Sequence, residues 1–284
     1  MPPERPTQQQ LSWLKNQFPQ LAAPDVWITG QPTGTYNCIA YSLGITTEWI
    51  NPPQPLGPFE ALYNGAPYNH PTVAPGAQNA AIDGWATPPN PPNPREIASM
   101  THGSRTSTSV GGALWESKLG QSYRITHGRS QLTGANYGRV VTSFRWVAAA
   151  VMSAAERGNV PPLEPDELEA ARQLAAGVPD EVRERFTSAL AQWKATWSEL
   201  PLAASSDTND YATGPAFEQL VAVGAVATPL ALEQLATEPD GFFLLAALER
   251  WSERGDLVAA AQKQPLESQQ SRAVRAVRAA LGER

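Results

Sequence analysis

At 284 residues the chain has room for two domains or one large one, with a sizeable core. A formal net charge of -6 and the lack of any long basic run argue against nucleic acid as a partner. A single cysteine excludes an intrachain disulfide framework and suits a reducing, cytoplasmic compartment. The N-terminus has neither the basic start nor the apolar run of a signal peptide, though delivery by a dedicated secretion system would need none. No apolar stretch is long enough to span a bilayer, so no membrane partner is expected. Most of the 27 prolines fall in the first half, which points to a loop-rich domain there. The second half is rich in Ala, Leu and Glu and reads as helix.

In chain order, Leu11, Leu14 and Phe18 share one helical face and predict a short helix from Gln8 to Gln17, ended by Pro19. Val26 to Ile28 reads as a short strand. Residues 30–34 form a Gly-bearing turn into a helix that begins near Cys38 and stops at Gly44. Phe59, Leu62 and Tyr63 give one helical turn among loops, and His70 sits in a Pro-flanked loop. Strands are predicted at Ala80–Ala86, Ile97–Gly103, Ala113–Lys118, Tyr123–His127 and Arg139–Trp146. A polyproline-like connector spans Thr87–Pro94, and an Ala-rich helix follows Trp146.

After Pro162 the character changes. Pro165 opens a helix that stops at Gly177. Val182, Phe186, Leu190, Trp193, Trp197 and Leu200 form one apolar stripe on a long helix. Ala203–Tyr211 reads as a polar linker. Further helices are marked by Phe217–Val221, Leu232–Leu235, Phe242–Trp251 and Val274–Leu281. None of these can bury its stripe alone, and their pairing is HEAT-like, though irregular. The expected fold class is therefore α+β: a papain-like helix with a small antiparallel sheet over residues 1–150, then an all-α region over residues 160–284.

The chemistry centres on Cys38. A thiol in the first turn of a helix faces unpaired backbone N–H groups that favour its ionised form. The competing reading is a small buried hydrophobe, since free cysteine is among the most buried residue types. A thiol hydrolase also needs a base, a group that orients the base, and donors for the oxyanion. His102 is the first choice as base, on a strand 64 residues downstream. His127 is second and His70 third. Glu116, Ser117 or His127 could orient the imidazole, and the Cys38 N–H with Gln31, Tyr36 or Asn37 could hold the oxyanion. No metal is expected, because no H-x₃-H or C-x₂-C spacing occurs, and no nucleotide fingerprint calls for a cofactor.

Five ordered motifs carry a resemblance: Tyr36-Asn37-Cys38-Ile39-Ala40, Thr101-His102-Gly103, Leu114 through Gly120, Ile125-Thr126-His127 and Asn136-Tyr137-Gly138. They resemble an uncharacterised bacterial domain family with Tyr-Asn-Cys-Ile-Ala, Thr-His and Trp-x-Ser-Lys-Leu-Gly motifs. The layout is similar to the papain-like NlpC/P60 and CHAP cysteine amidases, and implies Cys38, His102 and Glu116 or Ser117 as a catalytic set. The chain departs from those amidases in lacking their Asp-Cys-Ser/Gly motif and in carrying the Pro-rich insert before the His102 strand. On this reading the protein is a cysteine hydrolase acting on an amide or acyl bond of a protein or peptide substrate. The rival is a non-catalytic interaction or regulatory protein that binds a partner through its helical half, with exposed tryptophans marking the interface.

Overall fold

A computed structural model describes residues 2–87, 99–147, 153, 155, 157–199, 202–251 and 267–282. The proline-rich connector from residue 88 onward, the Ala-rich segment after Val147, and Leu200 lie outside the described residues. The protein is α+β, with a seven-stranded antiparallel sheet and ten α-helices among the described residues. Two units divide it: Met1–Val151 with Ala203–Asp207, and Met152–Leu202 with Thr208–Arg284. The stretch read from sequence as a polar linker is thus split, and its first five residues belong to the first unit.

In the first unit, Thr7 and Gln10 make a capping box that starts α1 (Gln8–Gln17). Asn37 caps α2 (Cys38–Ser42), its Oδ1 accepting from the Ala40 N–H. The helical turn expected near Phe59 extends to nine residues, α3 (Leu56–Asn64). The strands are β1 (Ile28–Gly30), β2 (Thr72–Val73), β3 (Ile82–Thr87), β4 (Ser99–Thr106), β5 (Trp115–Lys118), β6 (Arg124–His127) and β7 (Arg139–Phe144). Their order across the sheet is β1-β6-β5-β4-β3-β7-β2.

Strand alternation sorts the side chains onto two faces. Gly84 and Gly103 point at the helices: a Cβ on Gly84 would strike the Phe59 ring, and one on Gly103 would strike Ser42 and Tyr63. The neighbouring Trp85 and His102 point the other way. There Leu14, Phe18, Val26, Ile28, Trp85, Ile125, Leu132 and Tyr137 make a buried core beneath α1. An ion pair between buried Asp83 and partly exposed Arg129 lies on the same face as Trp85. Arg129 donates from Nε and Nη2 to Asp83 at 2.6 and 2.7 Å, and Asp83 has no exposed surface.

The second unit contains α4 (Pro165–Ala176), α5 (Asp180–Thr196), α6 (Thr208–Tyr211), α7 (Gly214–Val221), α8 (Thr228–Thr237), α9 (Leu245–Trp251) and α10 (Gln269–Leu281). The apolar stripe of α5 buries Phe186, Leu190 and Trp193, with Trp197 just past its end. Trp193 donates from Nε1 to the Tyr211 carbonyl at 2.7 Å, and its ring lies 5.3 Å from Phe217. Trp197, Tyr211 and Phe243 complete an aromatic core.

Candidate functional site

Cys38 is the first residue of α2, as the Gly-bearing turn before it predicts. Its Sγ has no exposed surface and lies 2.8 Å from Ser206 Oγ. The Gly103 N–H donates to it at 3.4 Å. β4 pairs with β5 only at Arg105 and Thr106. Nearer His102 the two strands part, and the Gly103 amide meets the sulfur in place of a strand carbonyl. Burial pushes the thiol pKa up to about 11, outweighing the lowering by Ser206, by the Gly103 amide and by the Lys118 charge. The thiol therefore stays protonated at neutral pH, and the helix start does not activate it.

The expected Cys38–His102 pair is not formed. The reason is alternation: Gly103 faces α2, so His102, one residue earlier, faces the opposite side of the sheet. Its ring stacks on Tyr137 at 3.8 Å and meets Trp85 edge-on. His102 Nε2 lies 2.9 Å from Ser117 Oγ, and His127 Nε2 lies 2.8 Å from the same oxygen. Ser117 thus joins two imidazoles, and all three side chains are fully buried.

The protons in this chain can be placed by elimination. His127 Nδ1 is 2.8 Å from the Gly128 carbonyl, so it carries a proton. Its Nε2 is then an acceptor, and Ser117 donates to it. The Ser117 oxygen in turn accepts from His102 Nε2–H. His102 Nδ1 is left as a buried lone pair with no partner. Burial lowers both imidazole pKa values: His127 to about 4, and His102 well below its usual value, with the nearby His127 adding to the effect. Both rings are neutral at pH 7, and neither reaches the thiol.

Glu116 and Lys118 flank Ser117 and point back to the α2 side. The Glu116 carboxylate pairs with Arg124 Nε at 3.1 Å and accepts from Ser107 and Ser109, so it orients no imidazole. Lys118 Nζ donates to the Thr33, Gly120 and Ser122 carbonyls at 3.0, 2.6 and 2.7 Å. Burial pulls its pKa down. Three carbonyl acceptors nonetheless match the three donors of an ammonium, and a neutral amine would turn a lone pair on one of them. Gln31 donates to Glu4 at an exposed position. Tyr36 accepts from Arg124 at 3.5 Å. His70 is buried, stacks on Trp146 and accepts from the Val147 N–H.

Of the expected oxyanion donors, the Cys38 N–H bonds its own sulfur, and Asn37 already holds a carbonyl. Its Nδ2 donates to the Ser206 carbonyl at 2.9 Å, and Trp49 Nε1 donates to the same oxygen at 3.1 Å. Two residues earlier, the Tyr137 hydroxyl donates to the Ala204 carbonyl at 2.8 Å. Asn51 Nδ2 donates to Asp207 Oδ1 at 3.2 Å. Gly120, at φ +48°, lets the strand of chain pass: a Cβ there would sit 2.7 Å from the Ala204 carbonyl carbon, 2.8 Å from Ala203 O, and closer still to Ser205 O. Sequence reasoning missed the role of residues 203–207, because a Ser-Ser-Asp run carries the marks of a solvated linker.

Among the described residues no group of three or more His, Cys, Asp or Glu could hold a metal ion. No single helix among them is long and apolar enough to cross a membrane. Neither the curated proteins nor the solved structures yield a match to the chain. Residues 27–145, which contain Cys38, all three histidines and every strand among the described residues, match the family described as a domain of unknown function, DUF7689.

Proposed function

We propose that the protein is a non-catalytic interaction protein rather than a thiol hydrolase. One observation carries this reading. The hydrogen-bond partners of Cys38 Sγ are Ser206 Oγ and the Gly103 N–H, while the two strand histidines are spent on Ser117 across the sheet. A hydrolase of the papain-like type needs a base that takes the thiol proton and returns it to the leaving group. No imidazole stands among the groups that shift the Cys38 pKa, and its thiol is un-ionised.

The second unit suits a binding role. We read its helix pairs as HEAT-like, with an open groove of about 410 Å³ lined by Arg185 and Gln192 of α5, Gln219 of α7 and Val223 just past its end. Exposed tryptophans do not mark it. Of the nine, Trp146 alone is exposed, and it belongs to the first unit.

The test is thiol chemistry on the native protein. Iodoacetamide at pH 7.5 should label Cys38 only as fast as the protein opens, with the rate rising with denaturant. Labelling of the folded chain at or above the rate of free cysteine would return the hydrolase reading to first place.

A further inference from the structure

We infer that the first unit is a peptide-binding module whose groove is filled by the chain's own residues 203–207, and that its external ligand is a peptide of the same chemistry: small residues, then Ser-Ser and an acidic side chain. The inference rests on the non-catalytic reading and names the partner it implies. Three independent features make the groove a built site. Hydrogen-bond donors from Asn37, Trp49 and Tyr137 are aimed at backbone carbonyls two residues apart, a pattern that reads main chain rather than side chains. Gly120 removes the one Cβ that would block the path of Ala203 to Ser205. Lys118 ties down the carbonyls of Gly120 and Ser122, and so fixes the wall against which the peptide lies.

The side-chain demands follow from burial. Ala203, Ala204 and Ser206 are buried, so only small residues fit there. Ser206 also needs a hydroxyl for the Cys38 sulfur, and the Asp207 carboxylate accepts from Asn51. The segment's flanks on both sides belong to the second unit, so these five residues are a short guest held by the first. A tethered guest has an effective concentration on the order of 1 mM, so a free peptide binding at about 100 μM would be masked roughly tenfold in the intact chain.

Two variants of the full chain separate guest from host. Ala204→Arg spoils the guest and leaves the groove whole. Gly120→Ala leaves the guest's sequence whole and narrows the groove. Both should expose Cys38 to iodoacetamide. A fluorescein-labelled peptide spanning Leu202 to Thr208 should bind the Ala204→Arg chain about tenfold tighter than the wild type, by fluorescence anisotropy. It should not bind the Gly120→Ala chain, and a peptide with Arg in place of the Ala204 residue should bind neither. An exposed, ordinarily reactive thiol with no peptide binding to Ala204→Arg overturns the inference and leaves the non-catalytic reading standing. A thiol that reacts more than about tenfold faster than free cysteine overturns both, because burial alone would then have hidden an activated nucleophile. Should Ala204→Arg fail to fold, hydrogen exchange of residues 202–208 in the wild-type chain decides. Excess unlabelled peptide should speed it, and unchanged exchange overturns the inference.

Discussion

The two units bury different kinds of matter. The first hides His102, Ser117, His127, Asp83, Glu116 and Lys118 with no exposed surface, and each of these finds a partner. The second is centred on Trp193, Trp197, Tyr211, Phe217 and Phe243; Trp193 donates to the Tyr211 carbonyl, Tyr211 donates to the Leu202 carbonyl, and the Trp197 Nε1–H is buried without a hydrogen-bond partner among the described residues. Its buried carboxylates, Glu167 and Glu267, pair with Arg278 and Arg275, and in both units the arginine partners stay partly exposed. A ring-packed core tolerates changes of similar volume, because dispersion and apolar burial depend weakly on direction. A core of hydrogen-bonded charges and imidazoles does not, since losing one partner strands the other in a medium that cannot solvate it. The first unit should therefore fail by single atoms and by pH, and the second by volume.

The sharpest way to break this contrast is Arg129→Met. It leaves the Asp83 carboxylate with the Ser143 hydroxyl, and since that donor stays and Arg129 is partly exposed, the cost is about 3 kcal/mol, the low end for breaking a buried pair. Chemical denaturation should place the whole loss in the first unit's transition. A loss under about 1 kcal/mol would mean that water reaches Asp83 and screens its charge.

Acid comes next. All three histidines are in the first unit. Their folded pKa values lie below the unfolded value, so the folded state binds fewer protons and its stability falls as pH falls. The contribution is complete above about pH 6.5 and drains away below it. His127, folded pKa about 4, accounts for about 3 kcal/mol by that pH. Melting followed between pH 7 and 4.5 should show the first unit sliding, and flat behaviour there would refute the buried-neutral assignment.

Ser117→Ala is the finer probe. It leaves a buried His102 N–H and a His127 lone pair unmet, at about 2 kcal/mol. It should also raise the susceptibility of both rings to deuterium exchange at carbon. Ser117→Thr should restore part of the loss only if the extra methyl fits between the two rings.

The smallest effect is expected at the residue that drew the most attention in the sequence. Cys38→Ala removes one buried sulfur and its hydrogen bonds with Ser206 and the Gly103 amide, for about 1–2 kcal/mol, and should leave any binding measured for the second unit unchanged. Loss of a hydrolytic activity in that variant would count directly against the function proposed.

Local patterns carried much of this fold in the sequence. The Leu11, Leu14 and Phe18 spacing with Pro19 behind it announced α1 from Gln8 to Gln17, and the Gly-bearing turn announced the start of α2 at Cys38, because helical spacing and turns are short-range devices; the Thr7 and Asn37 caps went unread. The succession of β3 to β7 along the chain followed from turn residues, while their order across the sheet, with β7 beside β3, did not. What could not be read was which side of the sheet each functional group takes. His102 and Gly103 are adjacent, and a bulge in their own strand at Thr101, where Trp85 pairs with His102 and Ala86 with Met100, helps set their phase. Sequence spacing placed His102 in the right strand and gave no hint of its direction. Nor could it place Ser206, whose contact with Cys38 spans 168 residues and depends on a glycine in a third segment.

That phase has a consequence for design. A one-residue slip of β4 inverts every side chain it carries. Deleting a residue near the bulge would swing the imidazole round toward the sulfur, and would drive Arg105, now packed over Tyr41 and Trp146, into the oily side beneath α1. The distance between an inert thiol and a potential nucleophile in this scaffold is thus half a pleat, and the guanidinium next along the strand is what guards it.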